Sequence, residues 1–240
     1  MARIAKLYHN FTRAERLLWL GSAVVVTVFY AVFDGSHPLT LLSSLIGVSY
    51  LIFNARGNPI GQVLVILFSL LYGYISWTFA YYGEMVTYLG MTMPMAVIAL
   101  IAWLKNPFQG NRAEVEMTRL AGGEIGFMFA LAAAVTVLFY FILRAFHTAN
   151  LLPSTLSVTT SFLAVYLTAR RSPWYAVAYA MNDVVLLVLW TLASLEDTSY
   201  VSVLACFAVF LVNDIYSFFS WRRIRARQQR EQKTPPRASR

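Results

Sequence analysis

Eight stretches of apolar residues, each long enough or nearly long enough to cross a lipid bilayer, dominate this chain of 240 residues. A bilayer core about 30 Å thick needs about 20 mostly apolar residues in a helix. In lipid the backbone must satisfy its own polar groups, which favours helices. The sequence therefore predicts an all-α polytopic membrane protein with eight transmembrane helices. They are predicted over residues 17–33, 39–54, 60–82, 85–103, 125–146, 154–169, 174–195 and 199–221.

The composition supports this class and excludes others. Hydrophobic residues make up 59% of the chain and charged residues 12%, whereas soluble domains have about 45–50% and about 25%. Disordered, collagen-like and disulfide-rich chains are excluded, and the single Cys206 cannot form an intramolecular disulfide. The first apolar stretch follows a long basic region and lacks an Ala-x-Ala cleavage site, so we expect a retained helix and not a signal peptide.

The distribution of basic residues predicts the orientation. If both termini are cytoplasmic, 18 of the 19 Lys and Arg residues lie inside, and Arg144 is the exception. This satisfies the positive-inside rule and predicts a multi-pass protein with both termini cytoplasmic and with Asp34, Glu84, Glu196 and Asp197 external. The net charge of +8 then reflects the topology, and the basic C-terminal tail is expected to contact anionic lipid. It predicts no nucleic-acid partner.

Three short sequence motifs recur in the same order later in the chain, at nearly constant offsets of 115, 114 and 118 residues. Residues 38–41 recur at 153–156, residues 55–56 at 169–170, and residues 102–105 at 220–223. The repeats predict two parallel three-helix bundles joined by one linker helix, with an extra helix before them, and such repeats place a substrate between the bundles. The expected segments are an N-terminus and extra helix (1–37), a first bundle (38–105), a loop and linker helix (106–152), a second bundle (153–222) and a disordered basic cytoplasmic tail (223–240).

Two identical dipeptides, Asn182-Asp183 and Asn213-Asp214, interrupt the seventh and eighth apolar stretches. A carboxylate at membrane depth costs about 2.5–3.5 kcal/mol on the insertion scale, so such residues face a cavity or a partner. Hydrogen bonding between helices is the alternative interpretation. Tyr175, Tyr179 and Trp190 share the face of Asn182, and a polar stripe with Tyr72 beside it lies on the third stretch. The predicted substrate-binding residues are Asn182, Asn213, Asp183, Asp214, Tyr175, Tyr179, Trp190, Trp174, Gln62 and Tyr72.

An aromatic and amide-lined pocket suits a planar heterocycle that carries hydroxyl groups and is uncharged or singly charged. The three histidines are scattered over loops, and neither a Ser/His/Asp set nor a phosphate-binding glycine loop is visible. We therefore expect no catalytic residues, no metal site and no cofactor, and ATP-driven transport would require a partner.

The chain also resembles the PnuC family of bacterial vitamin transporters, with markers over nearly its whole length after the first helix. The markers are Tyr72-Gly73-Tyr74, Tyr82-Gly83-Glu84, Trp103-Leu104-Lys105-Asn106-Pro107, Asn182, and Leu211-Val212-Asn213 ahead of Trp221-Arg222-Arg223. The resemblance implies a SWEET-like fold in the bacterial plasma (inner) membrane and facilitated diffusion, by alternating access, of an unphosphorylated vitamin. The family is best known for nicotinamide riboside. It also implies that a cytosolic kinase traps the imported vitamin for NAD biosynthesis, and it maps two substrate-binding asparagines onto Asn182 and Asn213.

The chain departs from that family at one motif. The family shows Trp-x-x-Trp at the start of the seventh helix, but here Tyr175 and Ala178, or Trp174 and Val177, stand in that register. The vitamin is therefore open between nicotinamide riboside, thiamine, riboflavin and deoxynucleosides. A membrane sensor or scaffold is the second interpretation, an intramembrane enzyme the third, and the sequence leaves open whether the chain forms a homo-oligomer.

Overall fold

The computed structural model describes residues 11–78, 81–148 and 150–233, so the expected N-terminal basic segment up to residue 10 and the tail from residue 234 lie outside the described residues. Nine α-helices and two short strands occur within these ranges. They are α1 (Arg13–Phe29), α2 (Pro38–Ala55), α3 (Ile60–Thr78), α4 (Tyr82–Thr87), α5 (Met93–Lys105), β1 (Pro107–Phe108), β2 (Asn111–Val115), α6 (Gly122–Ala145), α7 (Leu151–Ala169), α8 (Tyr175–Glu196) and α9 (Val201–Lys233).

Eight helical segments of the described chain are long and apolar enough to cross a membrane, which confirms the predicted all-α, eight-span class. The fourth span consists of α4 and α5, which a π-helical turn at Tyr88–Thr92 joins. The third span ends at Thr78, four residues before the predicted end, and the fourth begins at Tyr82. A π turn widens the helix locally and is frequent at functional sites.

Six of the spans pack side by side in a closed ring. In order around the ring α2 contacts α3, α3 contacts the π turn and α5, α5 contacts α7, α7 contacts α8, α8 contacts α9, and α9 returns to α2. The helix α1 lies outside this ring against α2 and α9, and α6 lies outside it against α7. The ring therefore has an interior to which every one of its six spans contributes.

The contact between α2 and α9 depends on a glycine. The Phe210 ring of α9 lies directly over Gly47 of α2, so closely that a Cβ atom there would overlap the ring. At the end of α2 the chain reverses at Gly57, whose φ of 64° is a left-handed conformation that glycine adopts at no steric cost. Both glycines allow α2 to sit tightly in the ring.

The two ends of the ring differ in charge, and we call them the acidic end and the basic end. The acidic end carries the turns at 34–38 and 196–200, and the basic end carries the turns at 55–59 and 170–174 and the loop 106–121. Near the acidic end Asp34 is buried and pairs with His37 at 2.5 Å. At the basic end Arg170 pairs with Glu124 of α6, and this hydrogen bond raises the pKa of the Arg170 guanidinium.

The expected disordered tail is wrong for residues 223–233, because α9 continues as a helix to Lys233. Strands β1 and β2 of the basic-end loop form a small antiparallel hairpin that holds this extension. The Gln228 side chain accepts from Met117 N at 3.0 Å and donates to the Val115 carbonyl at 3.0 Å. Arg227 also pairs with Glu114. A sequence reading takes these charged residues for a solvated tail because their partners lie more than 100 residues away in the chain.

Candidate functional site

A small cavity lies inside the ring, and all six of its spans line it. The lining residues are Tyr50, Val65, Phe68, Tyr88, Thr92, Ser161, Val165, Tyr179, Asn182, Asp183, Phe207 and Phe210. The volume of this central cavity is about 20 Å³, enough for about one water molecule. The π turn Tyr88–Thr92 supplies two of the lining residues, so the irregular part of the fourth span faces the cavity.

Asn182 lies in the cavity wall with its amide orientation fixed by α7. Its Oδ1 atom accepts hydrogen bonds from Thr160 Oγ1 and Ser161 Oγ, both at 2.9 Å. Because the carbonyl oxygen is held on the helix side, the amide NH₂ group is the part of the side chain left to serve a solute. A primary amide in this orientation is a hydrogen-bond donor, suited to a hydroxyl or carbonyl oxygen.

The carboxyl groups of Asp183 on α8 and Asp214 on α9 face each other beside this cavity. Both side chains are buried, and among the described residues neither Asp183 Oδ2 nor Asp214 Oδ1 has a hydrogen-bond partner. A buried polar atom without a partner is costly and calls for an explanation. The Tyr50 and Tyr179 hydroxyl groups are close enough to interact electrostatically with both carboxyl groups.

Aromatic rings form much of the cavity wall. Phe68 lies at the centre of this group, with ring centroids 5.4 Å from Tyr50, 5.8 Å from Tyr88 and 5.8 Å from Phe210. Edge-to-face and tilted arrangements at such separations are the favourable ones for aromatic pairs. The same rings offer π faces on which a flat heterocycle stacks or to which a cation is attracted.

A second cavity of about 20 Å³ lies nearer the acidic end. Phe68 and Phe207 line both cavities and therefore separate them. Beyond it, a cluster of aromatic rings closes the acidic end, with Trp190 5.0 Å from Tyr81 and 5.6 Å from Tyr200. The remaining residues of the second cavity are Thr40, Ser43, Ser44, Tyr72, Ile75, Val203 and Cys206.

Two tryptophans close the basic end. The ring centroids of Trp103 and Trp221 lie 5.6 Å apart, and Tyr175 packs on Trp221 at 4.5 Å. The Trp103 indole donates to the Thr168 carbonyl at 2.9 Å and the Trp221 indole donates to the Asn54 carbonyl at 2.7 Å. Both rings are almost completely buried. The described structure is therefore closed on both sides of the central cavity.

The structure brings together five of the ten predicted site residues. Asn182, Asp183 and Tyr179 line the central cavity, Asp214 faces Asp183, and Tyr72 lines the second cavity. Tyr175 and Trp190 do not line either cavity but pack in the aromatic groups that close the basic and acidic ends. These two residues thus lie on the route to the cavity and not in its wall.

Three predicted residues lie elsewhere. The Asn213 amide turns out of the ring and donates to Ser22 Oγ of α1 at 2.9 Å. The Gln62 amide donates to Asn54 Oδ1 at 2.9 Å, where it joins α2 to α3. The Trp174 side chain is 57% exposed. Successive residues of an α-helix, at 3.6 residues per turn, point about 100° apart, so α9 can present Asp214 to the cavity side only by turning Asn213 away.

Glu84 is a buried acid that the sequence analysis placed only on the external side. Its side chain is 2% exposed, and neither carboxylate oxygen has a partner among the described residues. The Tyr72 and Tyr88 side chains are close enough to interact with it electrostatically. Its place directly before the fourth apolar stretch, predicted to begin at residue 85, was the signal available. The lining aromatics Tyr50, Phe68, Phe207 and Phe210 carried no signal that distinguished them from packing residues.

Comparison with known proteins supplies a family. The sequence model described as nicotinamide mononucleotide transporter matches residues 37–223. The chain is similar to the nicotinamide riboside transporter PnuC of Neisseria mucosa, at 23% identity over 226 residues that cover 91% of this chain and 84% of that protein. Its fold is similar to the crystal structure of the vitamin B3 transporter PnuC, at a TM-score of 0.80 and 20% identity, over 92% of this chain and 96% of that one.

Proposed function

The chain belongs to the nicotinamide mononucleotide transporter family, and from this premise we propose that it imports nicotinamide riboside into a bacterial cell. The central cavity carries the proposal, because all six spans of the ring line it and it holds an oriented amide, two carboxyl groups and aromatic rings. Nicotinamide riboside combines a flat ring, a carboxamide and sugar hydroxyls, which those groups match one for one. The printed name of the Neisseria relative supports the same solute.

The lining of the cavity favours the riboside over its phosphorylated form. The described residues that line the central cavity include no Lys, Arg or His, and they include Asp183 with its carboxyl group. Phosphate groups are recognised by Arg, Lys or backbone N–H groups at a helix start, and a carboxylate repels them. We therefore infer that nicotinamide mononucleotide, the compound in the family description, is a poor solute for this chain.

The transport cycle follows from the closed cavity. A volume of about 20 Å³ is far below the roughly 300–1,000 Å³ of ligand pockets, so the ring must open to admit a nucleoside. We infer an alternating-access cycle with two closures that open in turn. Movement of Phe68 and Phe207 opens the cavity to the acidic end, and movement of Trp103 and Trp221 opens it to the basic end. Asn182 and Asp183 remain between the two closures throughout the cycle.

We place the basic end and both termini in the cytoplasm of the inner membrane, because the positive-inside rule relates Lys and Arg to that side. Transport is then facilitated diffusion, and a cytosolic kinase that phosphorylates the vitamin keeps it inside the cell. The two halves 38–105 and 153–222 act as parallel bundles joined by α6. The indole contacts of Trp103 and Trp221, each to the other half, support this arrangement.

Uptake into proteoliposomes that hold the purified full-length protein tests the function. Labelled nicotinamide riboside, nicotinamide mononucleotide, thiamine, riboflavin and a deoxynucleoside are compared with empty liposomes. We expect saturable uptake of the riboside and none of the mononucleotide. Uptake of only thiamine or only riboflavin would assign a different vitamin, which would agree with Tyr175 and Ala178 in place of the family's tryptophans. If no compound is taken up, a sensor or scaffold is favoured.

A further inference from the structure

We propose that Asp183 and Asp214 together form a charge filter that selects a solute with one positive charge over a neutral solute of the same shape. The proposal rests on the proposed function, because it takes the central cavity as the solute site. It goes further by naming a specificity rule that neither the family description nor the names of the relatives contain. The pyridinium ring of nicotinamide riboside carries the positive charge that the filter would select.

The placement of the two carboxyl groups carries the inference. Asp183 is 3% exposed and lines the cavity, and its Oδ2 atom has no hydrogen-bond partner among the described residues. Asp214 lies behind it on α9, and the two carboxyl groups face each other. Facing carboxyl groups do not both carry a full charge, since like charges at close range repel. A cation that enters the cavity favours the form of the pair with one proton and one negative charge, because it supplies the counterion that this charge needs.

The surroundings leave that charge without a protein counterion. The described residues that line the cavity are aromatic, aliphatic or uncharged polar, apart from Asp183 itself. Salt bridges between protein side chains occur in the described part of the chain at other places, with Arg170, Arg227 and Arg56 as the cations. A buried negative charge is costly without a partner, and a cationic solute is the partner that the cavity can receive.

The aromatic wall adds a second attraction for the same kind of solute. Tyr50, Phe68, Tyr88 and Phe210 present rings at centroid separations of 5.4 to 5.8 Å around Phe68. A cation over an aromatic face is stabilised by the ring quadrupole, and more strongly when water is excluded. A carboxyl pair and π faces in the same cavity form a site for a flat organic cation.

The experiment compares two ligands that differ by one charge. Benzamide riboside has a neutral benzene ring where nicotinamide riboside has the pyridinium ring, with the same carboxamide and sugar. Isothermal titration of the detergent-purified wild type should show at least about tenfold tighter binding of the cation, which corresponds to about 1.4 kcal/mol. The double variant Asp183→Asn/Asp214→Asn should bind the two ligands within about threefold of each other. Glu231→Gln, which removes a carboxylate from the α9 extension, should keep the wild-type ratio.

The outcomes separate the filter from the proposed function. Equal affinity of the wild type for both ligands overturns the filter while nicotinamide riboside remains the solute. A double variant that keeps the tenfold preference also overturns it. Binding of neither ligand by the wild type overturns the proposed function itself. The ratio measured on the wild type decides the question even when the double variant fails to fold, which a melting curve reveals.

Discussion

Trp103 and Trp221 make the same contact in opposite directions across the ring. The indole of Trp103 donates to a carbonyl in the last turn of α7, and the indole of Trp221 donates to a carbonyl in the last turn of α2. Their positions differ by 118 residues and their acceptors Thr168 and Asn54 by 114, which are offsets of the sequence repeat. Each half of the chain is thus fastened to the other at the basic end.

The first prediction concerns these two indoles. Trp103→Phe and Trp221→Phe each keep an aromatic ring but leave a buried carbonyl without its donor, which costs about 1–3 kcal/mol. Because the contacts are equivalent, the two variants should lower the thermal unfolding temperature in detergent by similar amounts. Trp174→Phe is the matched control, since that side chain is 57% exposed, and it should melt like the wild type. A large fall in the unfolding temperature of Trp174→Phe, with none in the other two variants, would contradict the role given to the two indoles.

The second prediction separates the two asparagines that sequence reasoning treated alike. Asn182→Leu removes the one side-chain amide among the described residues that line the central cavity, so the affinity for nicotinamide riboside should fall about tenfold or more. Asn213→Leu removes the hydrogen bond to Ser22 of α1, so it should lower the melting temperature and leave the affinity of the folded protein unchanged. Titration calorimetry beside melting curves measures both effects, and a loss of affinity confined to Asn213→Leu would reverse this assignment.

The third prediction concerns the helical extension of α9. Gln228→Ala removes three hydrogen bonds to the loop, those with Glu114, Val115 and Met117. Backbone amides of residues 224–233 should then exchange hydrogen at least about tenfold faster, because the extension has lost the partner that orders it. Gln229→Ala is the control, since its side chain points to solvent one residue further on. Exchange measured by mass spectrometry should leave the control unchanged; equal exchange in both variants would show that the hairpin does not order α9.

The fourth prediction concerns orientation. In a Cys206→Ser background, Ser36→Cys at the acidic end should react with an impermeant maleimide added outside intact cells. Gln229→Cys on the α9 extension should react only after the membrane is permeabilised, because the basic end is expected to lie in the cytoplasm. External labelling of Gln229→Cys would contradict the proposed orientation.

The sequence predicted correctly those features that depend on the residues of a single helix. Each apolar span is visible in its own residues, and the cost of burying Asn182 and Asp183 in one of them pointed to a cavity. It failed where the answer depended on the rotation of a helix or on a distant partner. Asn213 and Asp214 are neighbours in the chain, but only the packing of α9 against α1 and α8 decides which of them faces inward.

The aromatic wall of the cavity shows the same limit. Phe68 and Phe210 are ordinary apolar residues of their helices, and only the approach of α9 to Gly47 brings their rings together. Glu84 was visible as an acid at the edge of a span, but its burial arises from the packing of α4 against α6 and α7. Such residues become recognisable only when the ring is assembled.

The size of the central cavity has a consequence for the energy balance of the host cell. The cavity holds about one water molecule and is closed by Phe68 and Phe207 on one side and by Trp103 and Trp221 on the other. Among the described residues this leaves no room for a column of water through which protons or sodium ions could leak. In this closed state the protein therefore does not dissipate the proton gradient across the membrane.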